Sequence, residues 1–413
     1  MPMRRANRWP WLLFLAGCAG SWNAAAQVDP IPRELIQFGY NASFEGHAPL
    51  AAYAFYLRNA PDFPKTNLTL RLAIAPTYVD SELGVRQILG ENTDLGIGLA
   101  GGGFADTYDE VRRGTFLPAE SFIGHGVESS VSLYHCFNPQ DLIPLNGLVR
   151  GTMHYSFYSR DEGTASTFVL PPDHGNFTLR SGLRFGGKEP TLYPSLAMEL
   201  SVWYEGEFRT ASGTYGNTSI TTPAGDRRLE PVSHLFWEQA LLAYTFTNTQ
   251  QSFLFSVTAG TSVNADRLST YRLGSLLPLI AEYPLPLPGY FYQEISAEKF
   301  VLLGGSYNLP LDRKHHWNLA TFGTSAWVDY LDGLEQPGNW HSGVGAGILY
   351  QAPSLKVMAG YAYGIEAIRD GHRGASTVGI LMQIDLGHAR SSLIKTQPGL
   401  WRGFQSMFGA ILH

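Results

Sequence analysis

Ser121 and His125 lie close together in the chain, with Asp109, Glu110, His135 and His154 nearby. These are the residue types of nucleophilic hydrolysis: a hydroxyl, an imidazole within hydrogen-bond reach to take its proton, and a carboxylate to orient the imidazole. Ser121 and His125 share one face of an extended strand by parity, a coincidence that chance also delivers. The competing reading makes all six polar lumen or loop residues. A second histidine group, His315-His316 and His341, is flanked by Trp317 and Trp340. Adjacent histidines project to opposite faces of a strand and make a poor metal pair. Interface anchoring by the tryptophans accounts for that neighbourhood better, and no metal or cofactor is expected. With Cys18 and Cys136 the only cysteines, neither a disulfide framework nor a cysteine zinc site is expected.

What positions these residues is a chain of unusual composition. Charged residues make up 15%, against about 25% in an ordinary soluble domain. Yet no run of about 20 apolar residues follows the N-terminus, as a helical membrane protein would need. A transmembrane barrel satisfies both facts, with an apolar outer face and a polar lumen. A secreted soluble β-sandwich is the alternative. The dominant pattern is period-two alternation in segments of about ten residues. Ile36, Phe38, Tyr40, Ala42 and Phe44 alternate with Gln37, Gly39, Asn41 and Ser43. Met198, Leu200, Val202 and Tyr204 alternate with Ala197, Glu199, Ser201, Trp203 and Glu205. Val378, Ile380, Met382, Ile384 and Leu386 alternate with Thr377, Gly379, Gln383 and Asp385. Glycine recurs on the polar face at Gly343, Gly345 and Gly347, where it relieves crowding inside a barrel. Strands cross hydrocarbon only as a closed barrel, because every backbone group there must be bonded internally.

About fifteen such segments are legible, and the even strand number of bacterial barrels makes about sixteen the expectation, with Thr164 to Val169 as the omitted strand. The fold class is all-β, a closed antiparallel transmembrane barrel over residues 35–387. Glu199, Glu205, Glu238, Asp329, Glu366 and Asp385 are assigned inward with Arg71, Arg180, Arg184 and Lys356, since a lipid-facing Arg or Lys costs about 2–4 kcal/mol at midplane. Such a lumen sets ion selectivity in an open pore or cross-links a plugged one. Long connections run from Ala105 to Ser121, Gly206 to Pro231 and Ser262 to Ser296, and loops of that length are usually functional.

Both ends carry further signals. Arg4, Arg5 and Arg8 precede the apolar Trp9 to Ala16, and Ala24-Ala25-Ala26 suits a signal peptidase, so residues 1–26 read as an export signal. Leu15-Ala16-Gly17-Cys18 offers a competing lipobox with Cys18 lipidated. Removing the signal takes the formal net charge from −6 to −9, leaving no basic stripe for nucleic acid. In the tail, residues 388–413, the apolar Leu400, Trp401, Phe404, Met407, Phe408 and Ile411 recur at helical spacing. An interfacial amphipathic helix is expected there; a disordered tail is the alternative.

Four pieces follow one another in the last third of the chain: Leu273-Gly274-Ser275, Tyr307-Asn308-Leu309-Pro310-Leu311, Trp327-Val328-Asp329, and Ser342-Gly343-Val344-Gly345-Ala346-Gly347 with Ala352-Pro353. From about Tyr271 to Leu386 this series resembles the bacterial surface antigen superfamily, the barrels of the BamA and TamA assembly factors and of two-partner-secretion transporters. The matching family pieces are Leu-Gly-Gly, Tyr-Arg-x-Pro-Leu, Phe-x-Asp and Gly-x-Gly. The resemblance implies that the long connection after Leu273 folds into the lumen, pinned by an arginine against the Phe-x-Asp aspartate, here Asp329. That arginine belongs to an Arg-Gly-Tyr or Arg-Gly-Phe motif. The corresponding stretch here is Glu282-Tyr283 or Pro288-Gly289-Tyr290, and neither holds it. Asp329 is therefore expected to meet Arg272, a strand cation such as Arg184 or Lys356, or the hydroxyls of Tyr283, Tyr290 or Tyr292. The alternative is an external loop with Asp329 solvated. The family's N-terminal periplasmic domains have no counterpart in the few residues between Gln27 and the first strand.

Together these readings give a non-enzymatic barrel of the bacterial outer membrane, with a pore, transport or assembly and translocation role. A barrel enzyme acting on lipid or envelope polymers is the alternative, as is a structural or adhesive barrel. The expected partners are outer-membrane lipids and the barrel-assembly machinery during insertion.

Overall fold

In the computed structural model, which describes residues 32–187, 196–217, 226–275 and 285–387, sixteen antiparallel strands close into a barrel. They are β1 (Arg33–Ser43), β2 (Ala51–Pro61), β3 (Leu68–Ile74), β4 (Tyr78–Val85), β5 (Thr93–Gly102), β6 (Ile123–Cys136), β7 (Leu145–Ser159) and β8 (His174–Gly187), followed by β9 (Leu196–Arg209), β10 (Val232–Thr245), β11 (Ser252–Val263), β12 (Ile295–Pro310), β13 (Trp317–Tyr330), β14 (Trp340–Ala352), β15 (Leu355–Arg369) and β16 (His372–Asp385). Each strand pairs with its neighbours in sequence. Closure is made by β1 on β16, in register from Leu35 opposite Asp385 to Ser43 opposite Thr377.

Alternation decides the two faces. Phe38, Tyr40, Leu200, Val202, Val344 and Ile380 stand exposed on the outside, while Asn41, Glu82, Ser132, Glu199, Ser201 and Thr377 are buried within. With lipid as the outer solvent this is the expected partition. The strand that pattern reading misses is β4, not Thr164 to Val169. The latter is loop, touching Gly216 through a single bridge at Val169. Short turns join the strands at one end and long connections at the other, which makes the long-loop end extracellular. The export signal, Cys18 and the tail lie outside the described residues, as does Tyr283.

Two inward assignments fail, that of Glu238 here and that of Asp329 at the site described below. Glu238 lies on the outer face of β10, opposite Val202 and Ala259, because Trp237 takes the lumen side and stacks on Trp203. Side-chain direction has period two, so fixing Trp237 inward fixes Glu238 outward.

Candidate functional site

The long connection between β11 and β12 enters the lumen. Pro288, Gly289 and Tyr290 lie against the inner faces of β14 and β15, and glycine is what admits them. A Cβ on Gly343 would stand 2.0 Å from the Pro288 carbonyl oxygen, and one on Gly289 would stand 1.9 Å from the Gly364 nitrogen. Gly289 also holds φ at +85°, a conformation costly for other residues. Tyr290 is fully buried and shares a 3.2 Å hydrogen bond with His341 Nδ1, whose other ring nitrogen meets the Tyr330 hydroxyl. At the loop's end Glu294 grips Arg369 of β15 through two bonds of 2.9 and 2.8 Å, with the guanidinium 3.5 Å from the centre of the Phe291 ring.

Asp329 takes no part in this. It projects to the outer face near the extracellular end of β13 and pairs with Lys299 at 2.9 Å, both half exposed. Val328 and Tyr330 hold the lumen side, so the likeness of Trp327-Val328-Asp329 to Phe-x-Asp falls on the wrong face. Arg272 instead donates to Gln293 Oε1 at 2.9 Å and to the Asp109 carbonyl at 2.6 Å, and its guanidinium lies over Tyr108. Arg184 stands 3.4 Å from Glu199 and over Trp203, on the wall of β8 and β9. Sequence reasoning did not find Glu294 and Arg369, because they are 75 positions apart and neither sits in a motif.

Above the inserted loop, three connections interlock around one carboxylate. Glu110 is fully buried. It accepts from Arg267 at 2.9 and 3.1 Å, from Arg112 at 2.7 Å and from the Tyr108 hydroxyl at 2.7 Å, with Arg227 at 3.4 Å. Arg112 and Arg227 also meet Glu120. Burial alone would raise the Glu110 carboxyl, but Arg227 and Arg267 outweigh it and hold the group below its ordinary range. Asp109 shifts the other way: burial raises its carboxyl against the pull of Arg272. Beneath the ion pairs, Tyr108, Phe122, Phe168, Tyr215 and Leu229 form an apolar cluster. The described residues of 103–122, 210–217, 226–231, 264–275 and 285–294, joined by Phe168 from the connection between β7 and β8, thus make one cap, with its own core and its own buried charge network.

Among the described residues the hydrolase candidates do not meet as one Ser-His-carboxylate set, and His125 lies 3.4 Å from the Ser159 hydroxyl. Ser121 Oγ donates to the Leu117 carbonyl and accepts from the Glu110 N–H, and it has no bond to His125. His125 faces outward and stacks on Phe157, and His135 shares a 2.8 Å bond with Thr93. On the inner face, His154 stands between Asp106 at 2.8 Å and Glu128 at 3.2 Å. Among the described residues, no three His, Cys, Asp or Glu side chains are grouped to hold a metal.

Below the cap lies a lumen cavity of about 610 Å³, bounded by β7, β8 and β9 and by the inserted loop. Its charges are matched across the wall: Arg180 with Glu205 at 2.6 Å, Arg150 with Glu82 at 3.0 Å, and Arg209 with Glu207 at 2.8 Å and with Asp266. Arg71 of β3 reaches Asp80 at 3.3 Å. Glu199, Glu205, Arg71, Arg180 and Arg184 lie on the inner face of the wall.

A closed sixteen-strand sheet, apolar outside and charge-paired inside, defines an integral β-barrel of the bacterial outer membrane. Comparison of the sequence with models of known families and with curated proteins finds no match. Among solved structures the chain has the barrel fold of CdiB from Acinetobacter baumannii, with TM-score 0.58 at 8% identity over 86% of this chain and 60% of that one. CdiB from Escherichia coli gives 0.54 at 10%, over 84% and 63%. BamA from Haemophilus ducreyi lacking POTRA domains 1–3 gives 0.52 at 12%, over 85% and 70%. The chain thus spans about three fifths of the length of the CdiB structures it matches. The likeness to the barrels of the bacterial surface antigen superfamily is a likeness of fold.

Proposed function

We propose that the protein is a non-enzymatic transport channel of the outer membrane, closed from outside by the three-loop cap. The observation that carries this reading is the seat of Pro288 to Tyr290 on Gly343 and Gly364, which places an extracellular loop across the lumen. The reading requires that this loop, held by glycine contacts and a few ion pairs, exchange between a docked and a released arrangement. A gated channel needs such a bistable element. The lumen wall supports the same reading, because paired charges line the cavity beside β7, β8 and β9.

Deleting Leu285 to Gln293 and recording single-channel currents in planar bilayers tests it. A closed channel predicts rare small openings in the full chain and a large steady conductance in the deletion. Equal currents in both would refute the reading. A translocation role is the second reading, favoured by the fold shared with CdiB and BamA. It predicts instead that a polypeptide, rather than a small solute, alters the current of the full chain.

We also propose that residues 1–26 direct export and are removed, and that residues 388–413 pack along the periplasmic leaflet.

A further inference from the structure

We infer that the lumen cavity beneath the cap is a binding site for a neutral oligosaccharide. The inference deepens the channel reading and rests on it, since it names the solute class that the same lumen admits.

Three observations carry it. Most charges lining the cavity are paired with opposite charges, as Arg180 with Glu205, Arg209 with Glu207 and Asp266, Arg267 with Glu110, and His154 with Asp106 and Glu128, while Arg272 is held by two neutral acceptors, Gln293 Oε1 and the Asp109 carbonyl. A charged ligand on the wall of β7, β8 and β9 would have to break one of those pairs and leave its partner uncompensated at low dielectric. A neutral solute leaves them intact.

Between these pairs runs a strip of short neutral side chains. Thr152 of β7 stands opposite Thr178 of β8, with Asn176 beside them. The Asn176 amide donates to Thr178 at 3.3 Å, while its carbonyl oxygen is buried without a partner. Such groups offer both donors and acceptors to hydroxyls, and a solute without hydroxyls would leave them unpaired.

The wall supplied by the inserted loop has the other character, with Leu285, Pro286 and Tyr292. One polar strip and one apolar, aromatic wall suit a molecule with a hydroxyl edge and a C–H face, which is the chemistry of a neutral sugar ring. The volume lies within the ordinary range of about 300–1,000 Å³ for ligand sites, enough for roughly two or three hexose units.

Equilibrium dialysis of the detergent-solubilised full chain against radiolabelled maltotriose tests the inference, with trigalacturonate as the charged probe of similar size. Saturable binding of maltotriose is expected, with trigalacturonate weaker by about tenfold or more. Thr178→Trp, which fills the strip, and Asn176→Leu, which removes its amide, should each weaken maltotriose by about tenfold. Heat-modifiable mobility on gels reports whether each variant is a folded barrel. If Thr178→Trp does not fold, Asn176→Leu decides. Absence of saturable maltotriose binding, trigalacturonate binding of equal strength, or full affinity in a folded variant overturns the assignment. Because dialysis reads binding and not current, a loop deletion that conducts beside a full chain that binds no sugar ends this inference alone. A chain that binds sugar but never conducts ends the channel reading alone.

Discussion

Glu294 and Arg369 are both almost wholly buried, and they tie the end of the inserted loop to the wall. Glu294→Gln keeps the shape and one hydrogen bond but leaves the Arg369 guanidinium without a counter-charge against Phe291. Removing one partner of a buried pair costs about 3–5 kcal/mol. At about 1.4 kcal/mol per decade, the ratio of docked to released loop should fall by roughly two to three and a half orders of magnitude. Single-channel recording reads this ratio as open probability. Pairing Glu294→Gln with Arg369→Met removes both charges and should recover a large part of the closed population, so the two substitutions are strongly non-additive. Closed dwell times in Glu294→Gln equal to those of the unaltered protein would refute the reasoning, and so would simple additivity in the double variant.

Further outcomes follow from the same geometry. Glu110 titrates below its unfolded value near 4.5, so its hold on the cap is complete above that value and is lost as pH falls through the lower folded one. Conductance should therefore rise only below that unfolded value, and opening already at pH 6 would contradict this. Gly289→Ala puts a Cβ where the Gly364 backbone stands and should raise open probability without changing the barrel's melting temperature in detergent. Glu238→Leu replaces a lipid-facing carboxylate and should stabilise the barrel in bilayer unfolding titrations by about 1 kcal/mol; a loss of stability would mean that Glu238 meets something other than lipid. Lysine at Leu200 or Ile380 should impair insertion, measured as the folded fraction in liposomes, while lysine at Gln383 should be tolerated.

The barrel was legible because its signal is local and redundant. Every long strand states its two faces through period-two alternation, as in Met198 to Glu205. β4 escaped because Asp80 and Glu82 face inward and Ser81 interrupts the outer set, leaving too few apolar positions to mark a period. Glu238 and Asp329 were assigned inward on the cost of a lipid-facing charge, and Asp329 on the resemblance as well, neither of which fixes parity; the register is set by Trp237 and by Val328 and Tyr330, whose inward packing only the closed barrel reveals. The loop's entry into the lumen was expected from the resemblance, yet the anchor was not. Asp329 carries the motif and faces out, whereas Glu294, Arg369 and Glu110 carry no motif and hold the cap. Their partners come from other loops, and no local pattern announces a contact between distant loops.

The separation between Glu110 and Arg267, 157 positions along the chain, has a consequence for the order in which the molecule is made. Neighbouring strands close loops of a few residues and gain their bonds at once, whereas the Glu110 network closes only when segments from three parts of the chain meet. Until the strands between them are joined, Arg227 and Arg267 cannot reach Glu110, and only Arg112 of the same loop pairs with it. The cap is therefore expected to form last, after the wall that brings its parts together. A newly inserted copy would then pass through a stage in which the cylinder is complete and its mouth open, and its permeability barrier would mature after insertion.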